Sequence, residues 1–136
     1  MVAQDNKAVR ERPLSPHLQI WRWHITMWSS ILHRATGVAL YGAILIAAGW
    51  AVALASGPFA YAAYLGYVGS PLGKLVLFGA TVSIFFHLAN GIRHLMWDAG
   101  EGLNPKTADM TAAAAIAFSI AASAAVWVIA LMTGKL

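Results

Sequence analysis

The chain has 136 residues, of which 60% are hydrophobic and 10% charged, with a net charge of +4 and no cysteine. A soluble domain has about a quarter of its residues charged, so this composition excludes an ordinary soluble fold. Without cysteine the chain holds no disulfide and no cysteine-ligated iron–sulfur cluster. Its basic residues flank apolar segments instead of forming a patch with stacking aromatics, which excludes nucleic-acid binding.

The amino-terminal segment, residues 1–28, is polar and basic at first and then aromatic. It lacks a short apolar core followed by a small-residue cleavage site, so we expect no signal peptide. Trp21, Trp23 and Trp28, together with His24, indicate an amphipathic segment at the membrane interface, because indole rings favour that level.

The first apolar span is predicted over Ser29 to Ala55. Near its start, Ser30, His33 and Arg34 fall within one helical turn. A hydroxyl, an imidazole and a permanent cation suit a quinone head group, whose reduction passes through anionic states. The same groups suit a pair of haem propionates, and the third interpretation is a membrane-flanking arginine beside an incidental serine. A stripe of small residues predicts close approach by another helix: Ala35, Ala39, Ala43, Ala47, Ala51 and Ala55.

The second span is predicted over Lys74 to Trp97, after an uncharged connection. His87, Gly91 and His94 share one helical face, since seven residues return to within about 20°. Gly91 leaves room for a flat macrocycle one turn from His87, and Arg93 and His94 lie near the helix end, where haem propionates would reach cations. This pattern is typical of half a haem b pocket. The alternative is a histidine that only makes an interhelical hydrogen bond.

The third span is predicted over Asp109 to Met132, with its own alanine stripe. The three spans predict an all-α integral membrane protein with an amino-terminal interfacial segment, in which residues 29–136 form one transmembrane domain. Most basic residues would lie on the amino-terminal side of the membrane, and only Lys74 and Lys135 on the other. The positive-inside rule then predicts a cytoplasmic amino terminus.

Three stretches together resemble one known family. They are Arg12-Pro-Leu-Ser-Pro-His-Leu18, then Ser30-x-x-His33-Arg34-x-Thr36, and then His87-x-x-x-Gly91-Ile-Arg93-His94-x-x-Trp97-Asp98-x-Gly100. This order is similar to the cytochrome b556 subunits of succinate dehydrogenase, membrane anchors of respiratory complex II. The resemblance covers almost the whole chain.

The resemblance implies haem b as cofactor and ubiquinone as substrate. His87 matches the axial haem ligand, and His33, Arg34 and His94 match residues near the propionates, with Arg93 beside them. The quinone would be bound by Ser30 and Arg34, with three apolar residues near the pocket: Leu18, Trp23 and Ile31.

The family functions as a heterotetramer of a flavoprotein, an iron–sulfur protein and two membrane anchors. This chain would be one anchor, passing electrons from succinate to quinone in the respiratory chain and the tricarboxylic acid cycle, and not catalytic alone. His87 lies about 15 Å from the predicted helix end at Trp97, whereas His33 is only a few residues into its helix. Because these depths differ, we expect the second axial ligand to come from the partner anchor.

Three alternatives remain at this stage: a fumarate reductase anchor running the reverse reaction, a haem-free structural anchor, and a transporter component. The last would need discontinuous helices and ionisable residues along a path, whereas here these residues gather on one side. We expect a bacterial inner membrane, because no transit peptide is present; the mitochondrial inner membrane of a processed chain is the second alternative.

Overall fold

The computed structural model describes residues 21–134, which form four α-helices: α1 (Ile25–Ala55), α2 (Pro58–Val68), α3 (Pro71–Asp98) and α4 (Pro105–Met132). Of these, α1, α3 and α4 are long and apolar enough to cross a membrane. The prediction of an all-α membrane protein with three spans is confirmed.

Each spanning helix begins a few residues before the predicted start of its span. Hydropathy marks only the apolar part of a helix, whereas the helix begins at its cap. The Ser70 hydroxyl accepts a hydrogen bond from the Gly73 amide at 3.1 Å, and the Asn104 side chain accepts one from the Lys106 amide at 3.0 Å. Three helices start with proline, whose fixed φ suits the first helical position: Pro58, Pro71 and Pro105.

The connection between the first two spans contains a helix that the sequence did not predict. Helix α2 has 11 residues, so it is about 16 Å long and too short to cross a bilayer. Gly57 has φ 100°, a left-handed conformation that glycine adopts readily. It turns the chain from α1 into α2. The Tyr64 hydroxyl then donates to the Ile46 carbonyl at 2.7 Å, which ties α2 to α1.

Helix α3 is the centre of the structure, because it packs against each of the other three helices. The interior around it consists largely of small or polar side chains, and many large aliphatic side chains point outward. This arrangement is typical of membrane helices, which approach through small residues and expose apolar ones to lipid. The buried polar side chains are Ser29, Ser83, Asn90, Arg93, Ser119 and Ser123.

The alanine stripes lie mostly on the outside of the described chain. In α1 only Ala43 of its stripe is half-buried, and in α4 the predicted stripe (Ala113, Ala117, Ala121 and Ala125) is exposed. The buried face of α4 is instead formed by Ala112, Ala115, Ser119 and Ser123. An alanine-rich helix is smooth on every side, so its composition does not select a packing face. Contact of the exposed stripes with a helix of another chain stays a prediction.

Candidate functional site

The site is built where α1 and α3 cross, around two half-buried histidines. The imidazoles of His33 and His87 are stacked, with ring centroids 4.0 Å apart and an interplanar angle of 15°. The two rings therefore lie at the same level, and the predicted difference in depth is wrong. One reason is that α1 begins four residues before Ser29, which moves His33 about 6 Å further from the helix end.

His87 is oriented through its Nδ1 atom. This nitrogen lies 3.2 Å from the His33 carbonyl oxygen and 3.3 Å from the Thr36 Oγ1 atom. The carbonyl is only an acceptor, so this contact requires the proton on Nδ1 and leaves the lone pair on Nε2. Nε2 makes no hydrogen bond to residues 21–134.

Two glycines shape the space beside His87. A Cβ atom on Gly37 would come within 3.3 Å of the His87 Cε1 atom, so this glycine allows α1 to approach the ring closely. A Cβ atom on Gly91, one turn from His87, would meet nothing within 4 Å. An oriented imidazole with a free Nε2 beside an open glycine fits the axial ligand of a haem.

His33 and His87 are not a pair of ligands to one haem iron in this arrangement. Two rings stacked face to face at 4.0 Å leave no space between them for a macrocycle. This geometry excludes His33 as the second ligand, and a second ligand from another chain stays a prediction. Within residues 21–134 no group of three His, Cys, Asp or Glu side chains is placed to hold a bare metal ion.

His94 extends the cluster towards the end of α3. Its ring centroid lies 5.0 Å from that of His33 and 5.0 Å from that of Trp97. The Nδ1 atom of His33 is buried and has no hydrogen-bond partner among the described residues. Three imidazoles thus form one cluster, with His33 stacked on His87 and close to His94.

Ser30 and Arg34 lie together on the neighbouring face of α1. The Arg34 guanidinium donates to the Ser30 hydroxyl at 3.3 Å, and Arg34 is exposed while Ser30 is half-buried. Ile31 is 39% exposed beside them. A hydroxyl and a permanent cation at an open helix face can both donate to the oxygens of a quinone.

The tryptophans at the start of α1 and just before it form a separate small stack. Trp23 is 53% exposed and stacks on Trp28 with ring centroids 4.4 Å apart. Leu18, the remaining residue predicted near the quinone pocket, lies outside the described residues.

Arg93 is placed apart from the histidines. It is 4% exposed and lies between α1, α3 and α4, where its guanidinium is bonded to uncharged groups. Of the four basic residues expected near the haem propionates, His33 and His94 lie close together, whereas Arg34 is exposed and Arg93 faces the helix interface.

Sequence reasoning missed the positioning residues of this site. Thr36 and Gly37 hold His87, and Ser29 and Asn90 join α1 to α3 through a 2.7 Å hydrogen bond. Polar residues are uncommon inside spans and usually have a partner, so Thr36, Ser29 and Asn90 were each available as a signal. Their partners are at least 50 positions away in the sequence and are only identified when the helices pack.

A cleft at the opposite end of the bundle was also not predicted. It has a volume of about 510 Å³ and no charged residue in its lining. Two of its polar side chains are bonded within the chain: the Trp127 indole donates to Thr81 at 3.3 Å, and Tyr64 donates to α1. The rest of the lining is largely apolar.

Comparison with known proteins agrees with the motifs. Residues 8–126 match the family described as succinate dehydrogenase/fumarate reductase transmembrane subunit. A succinate dehydrogenase cytochrome b556 subunit from Rickettsia felis is 36% identical over 128 residues, covering 94% of this chain and 100% of that protein. The one from Paracoccus denitrificans is 41% identical over 109 residues, or 80% of this chain and 84% of that protein.

A mitochondrial relative is similar over a shorter region. The succinate dehydrogenase cytochrome b560 subunit of Mus musculus is 41% identical over 97 residues, covering 68% of this chain and 56% of that protein. The resemblance drawn from the three motifs is thereby confirmed. The chain belongs to the transmembrane subunit family of succinate dehydrogenase and fumarate reductase.

Proposed function

We propose that this chain is a membrane anchor of a succinate:ubiquinone oxidoreductase that binds haem b together with a second anchor and contributes to the quinone site. The observation that carries the haem assignment is the orientation of His87. Its Nδ1 atom is 3.2 Å from the His33 carbonyl, and its Nε2 atom is free of partners in residues 21–134 beside the open position at Gly91.

His87 is the proposed axial ligand, and the second ligand would come from the partner anchor. His33 and His94 are the proposed propionate contacts within the chain, with Arg34 at the exposed end of α1. A bound haem b would supply one-electron redox chemistry. The His33 carbonyl would fix the tautomer of His87. The side chains of His33, His94 and Arg34 would neutralise the propionate carboxylates of the haem near the membrane surface.

Ser30 and Arg34 are the proposed quinone ligands, with Ile31 and Trp23 as apolar neighbours. Their hydroxyl and guanidinium donate hydrogen bonds to the carbonyl oxygens of the head group. A fixed cation stabilises the anionic states that precede protonation. The chain has no cysteine, so electrons would come from iron–sulfur clusters of another subunit, and succinate would be oxidised on a flavoprotein.

The complex would lie in a bacterial inner membrane with the amino terminus of this chain in the cytoplasm. A fumarate reductase anchor running the reverse reaction would use the same residues, because the direction depends on the quinone potential. A haem-free structural anchor is the second candidate function, since the contact of His87 with Thr36 at 3.3 Å is also what an interhelical hydrogen bond would provide.

Replacement of His87 by alanine tests the proposal. In the assembled complex, His87→Ala should abolish or change the spectrum of a haem with two histidine ligands, which is measured as the reduced-minus-oxidised α-band and as haem per complex. Thr36→Val removes one of the two contacts of Nδ1 but leaves the His33 carbonyl to orient the ring, so this variant should keep the haem. An unchanged α-band and haem content in His87→Ala would favour the structural anchor.

A further inference from the structure

Arg93 joins three helices at the level of the histidines. Its guanidinium NH1 group donates to the Ser29 hydroxyl in α1 at 3.2 Å and to the Asn90 carbonyl oxygen at 2.9 Å. On the other side, its Nε atom donates to the Thr111 hydroxyl at 3.0 Å, and NH2 donates to the Ala108 carbonyl at 3.1 Å, both in α4.

Burial of a charged side chain costs free energy, so the position of Arg93 indicates a specific role. Arg93 is 4% exposed, and a buried cation in a membrane protein is usually paired or functional. Every hydrogen-bond acceptor that it has in residues 21–134 is uncharged. The ring of Trp97 lies 4.2 Å from its Cζ atom and adds a cation–π contact. The guanidinium is thus held by neutral dipoles and an aromatic face, with the negative charge of Asp109 nearby in α4.

The fork geometry explains why an arginine stands here. A guanidinium presents five N–H donors in a fixed plane, so one side can bond α1 while the other side bonds α4. Asn90 completes the arrangement, because its carbonyl oxygen also accepts from the Ser29 hydroxyl at 2.7 Å. Ser29 is fully buried as a result, and α1 is fixed against rotation about its own axis at this residue.

Ser29 immediately precedes Ser30, which is one of the two proposed quinone ligands. A rotation of α1 would move Ser30 and Arg34 together, since both are on the same helix within two turns of Ser29. We infer that Arg93 is a positioning residue of the quinone site, acting through Ser29 to set the direction in which Ser30 and Arg34 face. This inference rests on the proposed function, and it replaces contact with a haem propionate as the role of Arg93.

The structure offers a matched pair of variants for the test. Ser29→Ala and Thr111→Val each remove one hydroxyl acceptor of the same guanidinium, the first on the quinone-site helix and the second on α4. In the assembled complex we expect Ser29→Ala to raise the KM for ubiquinone by roughly two- to tenfold, as for coupled neighbours. Thr111→Val should lower the thermal stability of the complex without changing this KM.

Arg93→Lys completes the experiment. A lysine keeps the charge but has one nitrogen, so it cannot bond α1 and α4 in the same fork. We expect the KM for ubiquinone to rise at least as much as in Ser29→Ala, while the haem α-band and succinate oxidation by an artificial dye stay unchanged. Equal KM values in Ser29→Ala and Thr111→Val would overturn the inference. Loss of the α-band in Arg93→Lys would also overturn it and would indicate that Arg93 contacts a haem propionate.

Ser30→Ala separates the two levels of the proposal. If Ser30→Ala leaves quinone kinetics unchanged, the proposed quinone site on α1 fails. If Ser30→Ala impairs them while Ser29→Ala and Arg93→Lys do not, the site stands and only the positioning role of Arg93 fails.

Discussion

Ser30 and Arg34 are the two residues of α1 whose polar groups meet on an open face, 3.3 Å apart. Hydrogen bonds to charged groups contribute about 1.5–3 kcal/mol each, so losing one should slow turnover by roughly tenfold or more. We therefore expect Ser30→Ala and Arg34→Leu to lower succinate:quinone activity. Succinate oxidation by a dye that accepts electrons upstream is the control and should persist. Arg34→Leu should also disturb the haem spectrum if Arg34 contacts a propionate, whereas Ser30→Ala should not.

Gly37 is a residue of α1 whose missing side chain leaves room for the ring of the proposed haem ligand. A Cβ atom there would be 3.3 Å from His87, whereas one on Gly42, further along the same helix, would meet nothing within 4 Å. Gly37→Val should push the His87 ring away from the His33 carbonyl and lower the haem content of the complex. Gly42→Val is the matched control, and both are read as the α-band per complex. Similar haem contents in the two variants would mean that the ring adapts without losing its ligand role.

Helix α4 has alanines on both its buried face and its exposed face. Ala115 is 6% exposed in the interface with α3, and Ala113, two positions earlier, is exposed. Ala115→Leu should overpack this interface and destabilise the chain, typically by about 1–3 kcal/mol, measured as a lower thermal unfolding midpoint in detergent. Ala113→Leu should leave the isolated chain unaffected. If Ala113→Leu weakens the assembled complex instead, a helix of another subunit covers the exposed stripe.

At the scale of the element, the sequence predicted the existence of the spans better than their ends. A run of about 20 apolar residues identifies a span without knowledge of its neighbours. Helix α2 was missed because its residues Pro58–Val68 are apolar but too few to cross the membrane. Its stability comes partly from contact with α1, such as the hydrogen bond from Tyr64 to the Ile46 carbonyl.

The whole molecule has two ends that differ in charge. The loop between α3 and α4 lies at the same end as the start of α1, because Arg93 contacts both Ser29 and Ala108. Ser56 ends α1 at the opposite end. The positive-inside rule predicts a cytoplasmic amino-terminal end, so Ser56→Cys should react with a membrane-impermeant thiol reagent in intact bacterial cells.

Glu101→Cys, in the α3–α4 loop, is the matched variant and should react only after the cells are opened. The chain contains no other cysteine, so each measurement reports one site. The reverse pattern of labelling would show that the amino terminus faces away from the cytoplasm.

The sequence by itself determined the three spans, the family and the nature of the site residues. These depend on local features: the length of an apolar run, a histidine within it, and short motifs such as His87 to Gly100. His87, His33 and the Ser30–Arg34 pair were therefore identified without coordinates, and helical periodicity was enough to bring Ser30 and Arg34 together. Their roles in haem and quinone binding stay predictions for the experiments above.

Only the tertiary structure decided which of these residues meet across helices. Three features depend on how α1, α3 and α4 are rotated and shifted relative to one another. They are the stacking of His33 on His87, the contact of the His87 Nδ1 atom with the His33 carbonyl, and the position of Arg93 at a junction of three helices. Helical periodicity gives the faces of one helix but not the depth or rotation of its neighbour. That relation is set by small residues and buried hydrogen bonds between positions far apart in the sequence, such as Ser29 and Asn90.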